Sequence, residues 1–329
     1  MKVVGSLLTD SLSVIVPVFN EGECILHNSI RLVKYLREAL SSFEVILVEN
    51  GSIDDTLSKA KLISAEHPEV RCFSLPEPCL GEALKTGVKN ATYDKVIYFP
   101  IDLSVNLSFI HECVPLLDRY HIVTGSKRLS EAKDVRPLRR RIASRGYHFL
   151  VRTLFQTNIT DTTCVKGYQR NVALELMNQI PPDSMIYETE LLLEAQKEGL
   201  RVHQIPVTVT DPREGRQPLG AKISTKFQGL FSLRLDFISI ILGCSMFLLG
   251  VFSILFLSIQ KLLFQGSGFL NPYSYLSSML LVIFGFQCVV YGSFARLILQ
   301  LRRDVTVIRT VSPHAQTEDA GNVFKEKGQ

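Results

Sequence analysis

The chain has 329 residues and a net charge of +4, enough for one large domain or two small ones and too little positive charge to suggest a nucleic-acid binder. Seven scattered cysteines without a C-x-x-C pair read as reduced thiols, not as a disulfide framework. Seven histidines without H-E-x-x-H or H-x3-H spacing argue against a zinc enzyme.

No signal peptide precedes the first predicted strand, because residues 1–10 are short and lack an apolar stretch. SLSVIVPV (11–18) predicts a strand. Residues 24–40 predict an amphipathic helix with its apolar face at Ile25, Ile30, Val33, Leu36 and Leu40. Strands at 43–50, 70–75, 95–101 and 121–126 then alternate with helices at 54–66, 81–91 and 107–117. This alternation predicts an α/β fold with a mostly parallel sheet covered on both faces, in which ligands sit beyond the carboxyl ends of the strands. Those ends carry Pro17, Phe19, Asn20 and Glu21, then Glu49, Asn50, Gly51 and Ser52, then Pro100, Asp102 and Ser104. Acids in a shared crevice suit a metal or the hydroxyls and base of a nucleotide. The Gly81–Gly87 segment offers a helix N-terminus to a phosphate, or simply close packing. Ser52-x-x-Asp55 reads equally as a helix cap.

Residues 137–155 (PLRRRIASRGYHFLVRTLF) predict a helix. On a 100° wheel Arg141, Arg145, His148 and Arg152 fall within about 60° of one another, beside Leu138, Ile142 and Phe149. Such a stripe suits lipid headgroups or an isoprenoid phosphate, or is a solvated cationic face.

From Phe237 to Ile259 no residue is charged, and after Lys261 no charge returns until Arg296. A 23-residue helix is about 35 Å long, against a hydrocarbon core of roughly 30 Å. Two spans are predicted, 237–259 and 273–295, joined by a short loop over about 260–272 containing Gly266, Gly268, Asn271 and Pro272. Lys222, Lys226 and Arg234 precede the first span, and Arg296, Arg302, Arg303 and Arg309 follow the second. The positive-inside bias puts both ends in the cytoplasm. The resulting organisation is a cytoplasmic domain (1–221), a basic juxtamembrane segment (222–236), the two-helix hairpin (237–295) and a polar tail (296–329).

Five motifs in order carry a resemblance. VPVFNEGECI, EVILVENGSIDDT, LGEALKTGV, DTTCVKGYQR and ETELLLEAQKEGLRVHQIPV resemble the signature segments of family 2 glycosyltransferases, in particular the polyprenyl-phosphate (dolichyl-phosphate) sugar synthases. The resemblance covers about 13–222 and implies the type A glycosyltransferase fold, Rossmann-like, with a C-terminal membrane anchor. It implies transfer of a sugar from a UDP- or GDP-sugar to a polyprenyl phosphate, with Mg2+ or Mn2+ and inversion at the anomeric carbon. By the same resemblance Pro17, Phe19, Glu21, Glu49, Asn50, Gly51, Ser52, Gly81 and Asp102 bind the donor. Asp102 and Ser104 hold the metal, Asp102, Asp161 and Glu190 are catalytic, and Lys127, Arg140 and Ser144 bind the acceptor phosphate. Arg141 and Arg145 of the basic stripe join that acceptor group. Asp161 reads alternatively as a turn-capping acid, and Arg213 and Lys222 either contact the diphosphate or are flanking charges of the span.

The departures are specific. Glu49-Asn50 replaces an Asp-Asp pair, Pro100 replaces the first acid of Asp-x-Asp, Ser104 stands where Gln is common, and Leu80 replaces the lysine of G-K-G. The R-x-x-G-x-S-K ending is stretched over Arg213–Lys222, and the lack of tryptophan excludes the Q-x-x-R-W of processive synthases. A catalytically inactive donor-binding or scaffold relative, and a transferase to another lipid, stand as alternatives. The expected partners are the nucleotide sugar, the lipid phosphate and the membrane, without nucleic acid; homo-oligomer formation is left open.

Overall fold

The computed structural model describes residues 8–210, 219–263 and 272–311. Arg213, Gly266, Gly268, Asn271 and the tail from 312 lie outside the described residues, as do the side chains of Lys222, Arg302, Arg303 and Arg309. The chain divides into two compact units, one ending at Phe227 and one beginning at Gln228.

The first unit runs β1 (Leu8–Val18), α1 (Ile25–Ala39), β2 (Leu40–Asn50), α2 (Thr56–Glu66), β3 (Val70–Leu75), α3 (Leu80–Asn90), β4 (Lys95–Tyr98), α4 (Ser108–Leu116) and β5 (Ile122–Ser126). It continues with β6 (Lys133–Asp134), α5 (Leu138–Phe155), β7 (Lys166–Gln169), α6 (Arg170–Gln179), α7 (Tyr187–Lys197), β8 (Val202–Pro206) and β9 (Thr208–Val209). Seven strands form one sheet in the order β3-β2-β1-β4-β7-β5-β8. Every pairing is parallel except those of β7, which runs antiparallel to both β4 and β5.

The apolar runs of β1 and β2 are unbroken because both faces of the sheet are covered. Val14 and Val16 pack with Val45 and Leu47 under α1, α2 and α4. Ile15, Ile46 and Val48 point the other way, beneath α3, α6 and α7. Gly87 lets α3 lie directly on β1, since a Cβ there would stand 2.3 Å from Ile15 Cγ2. On α1 the buried face is Ile25, Ser29, Leu32, Val33, Leu36 and Ala39. Ile30, expected on that face, is exposed. Five residues advance a helix by 500°, so Ile30 sits well round from Ile25. Leu40, also expected there, opens β2 instead.

Strand β7 is absent from the sequence reading. Lys-Gly-Tyr-Gln is short and mixed in character, yet it occupies the middle of the sheet, with Ile97 opposite Gly167 and Thr124 opposite Lys166. Glycine is needed at 167 because a Cβ would meet Cys113 Sγ at 2.3 Å. A second, two-stranded sheet pairs β6 with β9 in parallel, and Val105 bridges to Val209.

Helix α8 (Leu219–Ser232) precedes α9 (Leu235–Leu263) and α10 (Pro272–Val311). Leu235–Leu263 and Tyr273–Ile298 are each long and apolar enough to cross a membrane, and their surfaces are mostly exposed, unlike a soluble core helix. They form the expected transmembrane hairpin. Gly243 and Gly250 of α9 and Gly285 and Gly292 of α10 let the backbones approach closely. A Cβ on Gly243 would lie 2.5 Å from the Gly285 carbonyl oxygen. Ser253 and Ser278 share a 2.7 Å hydrogen bond across the pair, and Arg296 Nε donates to Asp236 at 3.2 Å. Beyond Ala295, where a polar tail is expected, α10 stays helical as far as Val311.

Candidate active site

The loops after β1 and β2 are stapled to each other. The Asn20 N–H, at φ 53°, donates to Ser52 Oγ at 3.0 Å, and Ile53 N–H donates to Asn20 Oδ1 at 2.9 Å. Glu21 N–H donates to Thr56 Oγ1. Pro17 and Glu21 are half-buried and Phe19 is exposed on this rim.

Glu49 is buried, and its two carboxylate oxygens accept from the Ser52 N–H and the Ser74 hydroxyl. Asn50 Oδ1 accepts the Cys79 N–H at 2.7 Å, tying β2 to the start of α3. Both expected donor-binding side chains are thus engaged in holding their own loops. Gly51 adopts φ 69°, with the Glu77–Pro78 backbone 2.9 Å from where a Cβ would be. Gly81 is buried against Pro182, whose oxygen would meet a Cβ at 2.3 Å, so close packing explains this glycine.

The strand β4 ends in a turn. Leu103 N–H donates to the Pro100 carbonyl, Leu103 takes φ 49°, and Asp102 Oδ1 accepts the Ser104 N–H at 3.0 Å. Among the described residues no three acid, histidine or cysteine side chains converge as a metal cage. One carboxylate beside a serine hydroxyl still suits Mg2+ when substrate phosphates and water fill the remaining positions. Asp102 and Ser104 therefore fit a site that the substrate completes.

A second group forms where β5, α5 and the segment before β7 meet. Asp161 is fully buried; its Oδ2 pairs with Lys127 Nζ at 2.8 Å, and its Oδ1 accepts the Thr163 N–H and stands 3.2 Å from His148 Nε2. Burial alone would raise the Asp161 carboxyl, but Lys127 and His148 outweigh it and hold the group well below the usual carboxylate range. Burial pushes His148 down, more than Asp161 pulls it up. Asp161 is at once the capping acid of its turn and the counter-ion of Lys127.

Arg136 makes a bidentate pair with Asp134 at 2.8 and 2.7 Å. Arg128 donates to Ser144 Oγ at 3.0 Å, while its buried Nε has no hydrogen-bond partner. Tyr98, Pro100, Ser104, Lys127, Arg136 and Thr163 line a cavity of about 160 Å3 between the two groups. The sequence reading missed Arg128 and Arg136. The signal for Arg136 was an acid two places before an arginine, at the edge of a basic run.

On α5 the basic stripe divides. Arg145 and Arg152 are exposed, Arg141 is half-buried, and His148 turns inward to Asp161. Arg140 is half-buried nearer the side of Ser144. The most exposed arc carries Leu138, Ile142 and Phe149, each more than half exposed, flanked by Arg139, Arg145 and Arg152. Glu190 accepts from the Ser184 hydroxyl. Its neighbour Glu188 holds the fully buried Lys166 at 2.9 Å. Of the two acids, Glu188 has the closer tie to the sheet. Tyr147, Thr189 and Thr162 complete a buried hydroxyl chain with two 2.9 Å contacts.

Among solved structures, glucosyl-3-phosphoglycerate synthase from Mycobacterium tuberculosis shares the fold, with a TM-score of 0.50 at 20% identity over 68% of this chain and 79% of that one. "Glycosyltransferase AglD" of Haloferax volcanii is 30% identical over 203 residues, 60% of this chain but only 32% of that protein's length. A dolichyl-phosphate beta-glucosyltransferase of Trichomonas vaginalis is 23% identical over 69% of each chain. Its Drosophila melanogaster namesake is 28% identical over 61% of this chain and 67% of its own. Residues 13–176, from β1 into α6, match the family described as Glycosyl transferase family 2, and through this domain the chain belongs to that family.

Proposed function

We propose that the protein is a membrane-bound, inverting glycosyltransferase. It moves a sugar from a UDP- or GDP-sugar to a polyprenyl phosphate of the dolichyl type at the cytoplasmic face. The observation that carries this reading is the cavity at the strand ends, lined by Pro100 and Ser104 of the turn that contains Asp102 together with Lys127 and Arg136, in a chain with a transmembrane hairpin. The names of the two dolichyl-phosphate relatives support the acceptor.

The acceptor is a phosphate monoester with a second pKa near 6, so it arrives largely ionised and needs no strong base. One of its oxygens attacks the anomeric carbon as the bond to the donor diphosphate breaks, and the bonding pair leaves with the nucleoside diphosphate. Lys127 carries its charge to the acceptor side, oriented by Asp161. Ser144 and Arg140 on α5 supply the remaining acceptor contacts. A divalent cation, Mg2+ or Mn2+, held by Asp102 and Ser104, would neutralise charge developing on the leaving diphosphate. The exposed apolar arc of α5 with its flanking arginines suits the bilayer surface, where this acceptor resides.

The test is transfer of radiolabelled sugar by purified protein to a short polyprenyl phosphate. A panel of UDP- and GDP-sugars would be run with Mg2+, Mn2+ or EDTA, beside Asp102→Ala. Transfer that disappears in the variant supports the reading. Donor binding without transfer across the whole panel would identify an inactive relative, and transfer only to a different lipid would replace the acceptor.

A further inference from the structure

Pro100 stands where the resemblance leads one to expect an acid, and it lines the same cavity as Lys127 and Arg136. The lining therefore carries no carboxylate at that position. Behind them Lys127 is paired with Asp161 and Arg136 with Asp134, while Arg128 feels both acids as well as Arg136 and Arg145. Arg128 is pushed down first by burial, and Arg136 and Arg145 press it further against the pull of Asp161. Burial pulls Lys127 and Arg136 down, but Asp161 and Asp134 outweigh it and hold both above their ordinary values, so both stay charged. The two charged side chains thus border a cavity of about 160 Å3. Both lining cations are anchored in place, Lys127 by Asp161 and Arg136 by two bonds to Asp134. Little side-chain freedom remains to be lost when an anion enters.

We infer that this cavity is a diphosphate-binding site in its own right, with Arg136 as a binding residue, and that it holds the anion without a metal ion. A carboxylate at position 100 would do the reverse, since it would pair with the cations and require a metal to bring the phosphate in. The substitution to proline thus moves part of the charge neutralisation from metal to arginine. The identity of the natural anion as the donor's diphosphate rests on the proposed function; the existence of the pocket does not.

The experiment is calorimetric titration of inorganic pyrophosphate into the full-length protein in detergent, in EDTA and again in Mg2+, followed by UDP and GDP in Mg2+. Wild type should bind pyrophosphate in EDTA within about tenfold of its affinity in Mg2+. Arg136→Gln should weaken binding in EDTA by more than tenfold. Pro100→Asp should weaken it similarly in EDTA and recover in Mg2+. If Arg136→Gln does not fold by circular dichroism, the wild-type titration and Pro100→Asp decide the matter. Binding that requires Mg2+ in wild type, or variants that bind as wild type does, would overturn the inference while leaving the transferase reading intact. Pyrophosphate binding in EDTA with no binding of either nucleotide would support the pocket and sink the donor assignment.

Discussion

Replacing Asp161 by asparagine keeps the shape and the acceptor for the Thr163 N–H but removes the charge that balances Lys127. Lys127 is only 6% exposed and Asp161 not at all, so solvent cannot take over that role. Breaking a buried pair from one side costs about 3–5 kcal/mol, which lowers the folded-to-unfolded ratio by roughly two to four orders of magnitude. The chain has no tryptophan, so urea unfolding of the detergent-solubilised protein is best followed by far-UV circular dichroism. Asp161→Asn should shift the sheet domain's transition to lower urea with little change in slope. The double variant Lys127→Met/Asp161→Asn, which removes both charges, should recover most of the loss. A loss below about 1 kcal/mol in the single variant, or a double variant no more stable than the single, would refute the idea that Lys127 depends on this one counter-ion.

The depressed Asp161 pKa stabilises the fold fully above the ordinary carboxylate value and progressively less as pH falls through the folded one. The gap between wild type and Asp161→Asn in urea titrations should therefore narrow below about pH 4. His148, lowered by burial, favours the neutral ring in the folded state; stability should fall as pH drops below about 6.5, and His148→Gln should flatten that slope between pH 7 and 5. In the hairpin, Gly243→Leu forces α9 away from the Gly285 carbonyl. It should lower the thermal midpoint of the membrane unit, read by cysteine accessibility at Cys288. A fluorophore at position 149 in nanodiscs should be quenched by headgroup-labelled lipid, and unquenched emission would remove α5 from the bilayer surface.

The parts of the fold legible in the sequence were those where pattern and burial coincide. The two-faced strands β1 and β2 and the long apolar helices have no other stable use, and each appears where the pattern puts it. What sequence could not supply was pairing between distant short segments. Lys166–Gln169 carries no strand pattern, because its place is secured by Gly167 fitting against Cys113 and by Lys166 finding Glu188. The basic stripe on α5 failed in a similar way: periodicity grouped His148 with the arginines, but a buried acid 13 residues further on turns it inward. Glu49 and Asn50 illustrate the opposite limit. Their motif was readable, while their engagement with Ser52, Ser74 and Cys79 depends on how three loops pack.

The central position of β7 also fixes an order of events during synthesis. The half-sheet β3-β2-β1-β4 is complete in sequence by Tyr98, but β4 reaches β5 only through β7, which begins at Lys166. At ribosomal speeds the intervening 67 residues take roughly 3–13 seconds to appear. Through that interval the edge of β4 is open, and Asp102 and Asp161 belong to separate pieces of the nascent chain. Strand β7 is therefore the one whose insertion joins the half-sheet to β5, before β8 is added at the far edge, and a ribosome stalled before Lys166 would leave a half-sheet with an exposed edge for a chaperone to cover.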